Sequence, residues 1–415
     1  MTIHLVQAVA FWAALALLVY VYVGYPFIAW CRARMSPRWH KREPIAPLVT
    51  VVVVAHNEAA TIGGRIQNLL ALDYPAERLD IVIASDGSTD GTVARARLWV
   101  DARVVVRTFE RRRGKAAVLN DVVPSARGEI VVLADARQRF EPAAVKALVS
   151  NFADHSVGAA SGELMLQAGT TATGEGAGFY WRYEKFMRRH ESRTDSTVGA
   201  TGAIYAIRRP LFEPIPDSTI LDDVLVPMRV MRRGYRVVFD PQARAVDGAA
   251  ETPPQEFVRK TRTIAGIFQL FCRERWLLNP CRNRIWFETW SHKALRLAAP
   301  LLQAAVLACS FALHEALFYR LMFLGQCVFY AAAIGGLMSD RLRTASPKRG
   351  IPSPESRALS YLRILAVPHA ICLLNWATIV GFVRYVTGNQ HATWERATPV
   401  SVPALPPQML RSSRS

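Results

Sequence analysis

The sequence predicts an α/β domain built on a parallel sheet, tied to a membrane by spanning and interfacial helices. Between residues 49 and 134, β-branched apolar runs alternate with segments of helical spacing, and each run stops at a polar turn. The apolar surplus is confined to the two ends of the chain. With 415 residues, 51% of them hydrophobic, the chain can bury a full domain core and still have apolar sequence left over.

The first apolar segment runs from about Leu5 to Trp30 without a charged residue. A helix needs roughly 20 such residues to cross the hydrocarbon core. Arg32, Arg34, Arg38, Lys41 and Arg42 follow it, so it reads as an anchor whose carboxyl end is cytoplasmic and not as a cleaved signal peptide. Three later stretches, from about Leu295 to Ala312, Ala316 to Leu337 and Tyr361 to Val386, are each long enough to span. The basic linker carrying Arg341, Arg343, Lys348 and Arg349 is expected inside. One span before the domain and three after it put the tail beyond Tyr385 outside. Pro300 and Pro368 interrupt two of the stretches, so a re-entrant or interfacial segment is the other reading.

The expected organisation is an anchor and basic linker over 1–46, a cytoplasmic α/β domain over 47–255, interfacial helices over 256–293, transmembrane helices over 294–390 and a tail over 391–415. The interfacial stretch carries Phe257, Phe271, Trp276, Trp286 and Trp290 among basic residues, as aromatic anchors at a membrane surface do. The tail's composition reads as disordered. The formal charge of +18 gathers beside the apolar spans, which points to anionic headgroups and a charged substrate, and no nucleic-acid module is present. The cysteines at 31, 272, 281, 309, 327 and 372 have neither metal spacing nor a disulfide pattern. A transporter or channel would need more ionisable residues within its spans.

Within the domain, Val49 to Ala55 reads VTVVVVA, a strand buried on both faces. His56-Asn57-Glu58 closes it, and Ile62, Ile66, Leu69 and Leu70 space a helix between Ala59 and Leu72. A second strand, Leu79 to Ala84, ends at Ser85-Asp86-Gly87-Ser88-Thr89-Asp90-Gly91; others are expected at Arg103 to Arg107 and Glu129 to Ala134. Ligands of such sheets bind beyond the carboxyl ends of the strands, where these acidic and glycine-rich turns fall.

Five groups there are candidates for chemistry. Asp86 is placed to accept hydrogen bonds from a nucleobase or ribose, against the plainer reading of a turn acid. Arg111, Arg112, Arg113 and Lys115 gather before a helix from Ala116 to Val123, where cations oppose the helix dipole unless an anion such as a diphosphate compensates; a solvated basic loop is the alternative. Asp135 ends a buried strand, where a carboxylate calls for a partner or a hard divalent ion bridging phosphates, or else serves as a turn or cap acid. Asp222 and Asp223 offer a general base with a positioning neighbour, or helix-capping acids. Arg259, Lys260 and Arg262 form a third cationic group, in which Arg262 suits phosphate oxygens; interfacial charge is the plain reading.

In order along the chain stand AHNEA at Ala55 to Ala59, SDGSTDGT at Ser85 to Thr92, RGKAAVLN at Arg113 to Asn120, VLADA at Val132 to Ala136, GATGAIYAIRR at Gly199 to Arg209 and ILDDV at Ile220 to Val224. This series, over roughly Pro47 to Arg275, resembles family-2 inverting glycosyltransferases. With its flanking spans the chain is similar to bacterial poly-N-acetylglucosamine, cellulose and hyaluronan synthases. The resemblance implies the nucleotide-diphospho-sugar transferase (GT-A) fold with a mixed, mostly parallel sheet, and transfer of a hexose or N-acetylhexosamine from a UDP-sugar to a glycan in extracellular polysaccharide synthesis. It implies that Ala55, Glu58 and Asp86 hold the nucleoside, that Lys115 and Arg262 contact the nucleotide, and that Asp135 serves the diphosphate and a metal, Mg2+ or Mn2+. Gly202 and Ala203 would border the acceptor, and Asp223 would be the base with Asp222 beside it. Nucleotide-sugar donor, glycan or lipid-linked acceptor, membrane lipids and export or accessory subunits are the implied partners. The plasma (inner) membrane is the implied location.

Two departures stand out. The second acid such synthases carry after Asp135 is Arg137 here, and of their glutamine-x-x-arginine-tryptophan motif, aligned with Arg259 to Thr263, only Arg262 is kept. These motivate two other readings: addition of one sugar to a polyprenyl-phosphate or lipid-linked acceptor, and a non-catalytic nucleotide-sensing subunit of a secretion complex.

Overall fold

The computed structural model describes residues 2–166, 172–247, 253–345 and 358–390. The expected tail, with Lys348 and Arg349 of the basic linker, lies outside the described residues. Eight strands form a single sheet: β1 (Val49–Ala55), β2 (Leu79–Asp86), β3 (Val104–Phe109), β4 (Ile130–Asp135), β5 (Arg139–Phe140), β6 (Val157–Leu166), β7 (Ile204–Arg208) and β8 (Arg236–Asp247). Their order is β3-β2-β1-β4-β7-β6-β8-β5.

The first four strands pair in parallel, as the alternating pattern predicts. β1 shows why it reads as a continuous apolar run. Val51 and Val53 face a core shared with Ile62, Ile66 and Leu69, while Val52 faces a second core with Val118, Leu119 and Val122. Helices on both faces leave no side of the strand for water.

The sheet is mixed because β7 inserts antiparallel between β4 and β6. β6 and β8 run parallel, and the two-residue β5 closes the edge antiparallel to β8. Ala134 of β4 is paired with Ile204 of β7, so the carboxyl end of one strand and the amino end of the other meet at one edge. An entirely parallel sheet would not bring them together.

The helix expected from Ala59 to Leu72 is shorter, Ile62–Leu70. Asn57 has a left-handed backbone (φ 54°), and the carbonyl of Glu58 accepts the amides of Thr61 and Ile62 at 3.0 and 2.9 Å, so a turn takes the first residues.

Among the described residues, four helices are long and apolar enough to cross a membrane: Ile3–Met35, Trp286–Ala312, Leu317–Ser339 and Leu365–Val386. Neither proline breaks its helix. Pro300 occupies the first turn of Ala299–Ala312, where its missing amide is not needed, and Pro368 lies within Ala358–Val386, which continues past it.

The amphipathic helix Pro253–Arg273 crosses the expected boundary at residue 255. It packs along the last apolar helix, with Phe268 tilted against Phe382 at a ring distance of 5.1 Å and stacked with Tyr385 at 6.3 Å. Its other side holds the segment before Asp222. A Cβ on Gly266 would lie 2.7 Å from Leu221 and 2.9 Å from Ile220, so glycine alone allows this approach. Gln269 accepts the Ile220 amide at 3.1 Å and donates to the Ser218 carbonyl at 2.9 Å.

Candidate active site

The turns after β1 and β2 are tied to each other. Thr89 donates its amide to Asn57 Oδ1 at 2.8 Å, and the Asn57 amide donates to Ser88 Oγ at 3.1 Å. Ala55 ends β1 with its methyl buried in the core, so only its backbone faces the turn region. Glu58 is buried; the Thr61 hydroxyl donates to its Oε2 at 2.7 Å, and Arg137 Nε lies 3.7 Å from its Oε1. The arginine that replaces the second acid is thereby set against Glu58.

Asp86, 3% exposed, has a role that its sequence context does not reveal. Its Oδ1 accepts the amide of Arg113 at 2.7 Å and its Oδ2 that of Gly114 at 2.9 Å. The carboxylate thus fixes the basic loop that launches helix Lys115–Val122. The close packing continues at Gly87 (φ 59°), where a Cβ would lie 2.4 Å from the Arg112 amide nitrogen.

Lys115, placed by that loop, extends its ammonium between two acids. Nζ lies 2.9 Å from Asp135 Oδ1 at the end of β4 and 3.3 Å from Asp222 Oδ2. Burial disfavours its charge, but Asp135, Asp222 and Asp223 outweigh it and hold the lysine above its ordinary range.

Asp222 and Asp223 open helix Asp222–Arg232, whose N-cap is Leu221, and no side chain caps it. Asp223 instead turns toward the start of β7, where the Gly202 amide donates to its Oδ2 at 3.1 Å. Burial, then the adjacent Asp222, push its carboxyl up to about 6 against the pull of Lys115. The buried Tyr205 hydroxyl is held well above its usual range by burial and by Asp222, Asp223 and Asp135. Arg262 reaches the same acids from helix Pro253–Arg273: burial lowers its pKa, while Asp222, Asp223 and Asp135 act in the opposite direction.

The structure therefore gathers Lys115, Asp135, Asp222, Asp223, Gly202 and Arg262 at one edge of the sheet, with Ala203 buried beside them. Residues 50–215 match the family described as Glycosyl transferase family 2. The chain carries a family 2 glycosyltransferase domain.

Curated relatives of this glycosyltransferase domain include a probable glycosyltransferase, YdaM, of Bacillus subtilis, 27% identical over 248 residues. A β-monoglucosyldiacylglycerol synthase of Synechocystis is 28% identical over 258 residues, and a poly-β-1,6-N-acetyl-D-glucosamine synthase of Staphylococcus aureus 23% over 232. These alignments cover 56, 59 and 54% of this chain, and the chain spans 58, 50 and 56% of the respective relatives. Among solved structures, a mannosyltransferase from Pyrobaculum calidifontis in complex with GDP-Man and Mn2+ aligns with a TM-score of 0.65 at 22% identity, over 91% of this chain and 99% of that one. The fold is the GT-A fold expected from the motifs.

The structure adds residues around the glycosyltransferase site that sequence reading passes over. Arg188, on helix Ala172–Thr194, donates to Thr201 Oγ1 next to Gly202, and the Thr201 amide donates to Ser161 Oγ at 2.9 Å. In the sequence Arg188 stands in a run of charge, FMRRHE, with no mark that sets it apart from a solvated face.

Proposed function

We propose that the protein transfers a hexose or N-acetylhexosamine from a UDP-sugar, with inversion, to a glycan or lipid-linked acceptor at the cytoplasmic face of the plasma membrane. The arrangement of Lys115 between Asp135 and Asp222, with Asp223 beside them on the Gly202 amide, carries this reading. Asp223 takes the proton of the acceptor hydroxyl as its oxygen attacks the anomeric carbon. Its raised pKa suits that task, since a base works best with a pKa near the operating pH. Asp222 holds Lys115 in place, and Lys115 and Arg262 offset the charge that grows on the departing diphosphate.

The donor set fits a divalent ion. Asp135 is one-third exposed and gives only one oxygen to Lys115, and a hard ion such as Mg2+ is held by one or two carboxylates together with phosphate oxygens and water. Among the described residues no cluster of three or more acids, histidines or cysteines forms a closed cage, so Asp135 would hold Mg2+ or Mn2+ jointly with the donor. The ion would supply Lewis-acid stabilisation of the leaving group. The curated polysaccharide and glucolipid synthases among the relatives support a membrane glycan or glycolipid product.

The test is nucleotide release by the detergent-purified protein over a panel of UDP-sugars with either metal. Asp223→Asn is expected to keep UDP binding and to lower transfer by about 10²–10⁴-fold. Full turnover by that variant would remove Asp223 from the role of base. UDP binding without release from any donor in the wild type would favour the nucleotide-sensing subunit.

A further inference from the structure

Behind the catalytic edge lies a second cluster of charge that glycosyl transfer itself does not use. Glu184, on helix Ala172–Thr194, is 3% exposed at its side chain and receives four partners: the Tyr180 hydroxyl at 3.0 Å, His292 Nε2 at 3.0 Å, Lys293 Nζ at 3.2 Å and Arg296 Nη1 at 2.5 Å. Lys260 joins through Tyr180, its ammonium 3.8 Å from the ring centroid and 5.6 Å from that of Trp181. The nearest acid to Lys260 is Glu256 at 3.7 Å, which also pairs with Arg259 at 2.5 Å. One helical turn beyond Glu184, Arg188 reaches Thr201, the neighbour of the glycine that holds Asp223.

Lys260, Lys293, Arg296, Arg188 and Arg259 face three buried acids, Glu184, Glu191 and Glu256, with Glu191 held on His292 Nδ1 at 2.7 Å, and the innermost cations are withdrawn from water. The side chains of Lys260, Lys293 and Arg296 are 13, 15 and 17% exposed, and Glu184 is shared between the last two. Donors remain over. Arg188 Nε, Arg296 Nε and Nη2 and Trp181 Nε1 are buried without a hydrogen-bond partner among the described residues, against one such acceptor on the two acids that His292 joins, Glu191 Oε2. Buried donors without partners call for an acceptor, and guanidinium and ammonium groups gathered around Glu184 suit the oxygens of a phosphate. Lys293 and Arg296 lie within the first three turns of the apolar helix Trp286–Ala312, toward the end expected at the membrane surface, where a headgroup would sit.

We infer that this cluster binds the phosphate of an acceptor lipid, whose headgroup hydroxyl then reaches Asp223. The inference rests on the glycosyltransferase reading and names its acceptor class. The hydroxyl proton passes to Asp223, the hydroxyl oxygen forms the new bond to the anomeric carbon, and the nucleoside diphosphate leaves with the electron pair of the bond that breaks.

The full chain in detergent micelles is assayed for nucleotide release and labelled product with matched acceptors. Phosphatidylglycerol and a polyprenyl-diphosphate-linked sugar form the phosphate arm, dioleoylglycerol and an alkyl glycoside the neutral arm, and glycerophosphoglycerol the soluble arm. Transfer is expected in the phosphate arm. Lys260→Gln should raise the KM for that acceptor about tenfold or more, the worth of one charge-assisted contact. The donor KM should stay unchanged, and Lys260→Arg should restore the acceptor KM. The acceptor should also raise the thermal midpoint of the wild type more than that of Lys260→Gln. Equal use of neutral acceptors, an unaltered acceptor KM in Lys260→Gln, equal use of the soluble phosphodiester, or transfer in no arm despite donor binding would each overturn the inference. Failure to bind or cleave any donor would instead remove the glycosyltransferase reading.

Discussion

Asp223 sits where burial and a neighbouring acid favour its neutral form while a lysine favours its charge, and the balance leaves it near 6. As the proposed base, it must be unprotonated to act. Transfer should therefore fall about tenfold per pH unit below about 6 and level off above it, with the limb moving to higher pH in Lys115→Met, which removes the cation that lowers it. A pH profile with no limb between 5 and 7, on a scale of roughly one unit, would count against this balance. Stability runs the other way. Because folding raises this carboxyl above the ordinary aspartate value of 3.8, its stabilising contribution is complete below about pH 4 and is lost as pH rises through about 6. Lys115, Asp135 and Asp223 are legible as residues because their motifs occur in a fixed order. Asp86 is legible only as an acid in a turn: its hold on the Arg113 and Gly114 amides joins residues 27 and 28 positions apart, a separation that no local pattern encodes.

Strands β1, β2 and β4 can be read from the chain because both faces are buried and the apolar run is unbroken. β6 and β7 leave a weaker trace. β6 carries glycines at 158 and 162, each pressed against neighbouring atoms, and β7 is five residues long, so the antiparallel insertion that brings Gly202 to Asp223 is set by tertiary pairing and not by local periodicity. Helix Pro253–Arg273 shows the same limit. Its spacing marks an amphipathic helix, but which face meets the catalytic segment depends on the bare surface at Gly266. Gly266→Leu should displace Ile220 and Leu221, destabilise by about 1–3 kcal/mol, and lower kcat while UDP affinity holds; unchanged kcat with a correctly folded variant would dissociate the helix from the base. Helix Ala172–Thr194 can be tested at Glu184. Glu184→Gln leaves Lys293 and Arg296 with a neutral partner, and a loss of about 3–5 kcal/mol is expected in thermal unfolding; a loss under about 1 kcal/mol would place the cluster among weakly coupled pairs.

At the scale of the molecule, the domain packs directly against its apolar helices. Arg32, in the last turn of the first apolar helix, pairs with Glu288 at 2.6 Å, and Tyr25 donates to Glu191 on helix Ala172–Thr194 at 2.8 Å. The four apolar helices could be read from composition, since a span declares itself by length and lack of charge. Their packing could not: the aromatic contacts of Phe268 with Phe382 and Tyr385 join residues more than a hundred positions apart. Helix Pro253–Arg273 touches Ala358–Val386 on one side and the Ser218 to Leu221 segment on the other. Hydrophobic mismatch alters the tilt of a span, and here a tilt would be passed through that helix to Asp223, the proposed base. Turnover in nanodiscs of graded acyl length should pass through a maximum while UDP affinity stays level; a flat profile would mean that the helix absorbs the tilt. Such an enzyme would report the thickness of its own bilayer, making its output a function of membrane composition without a separate sensor.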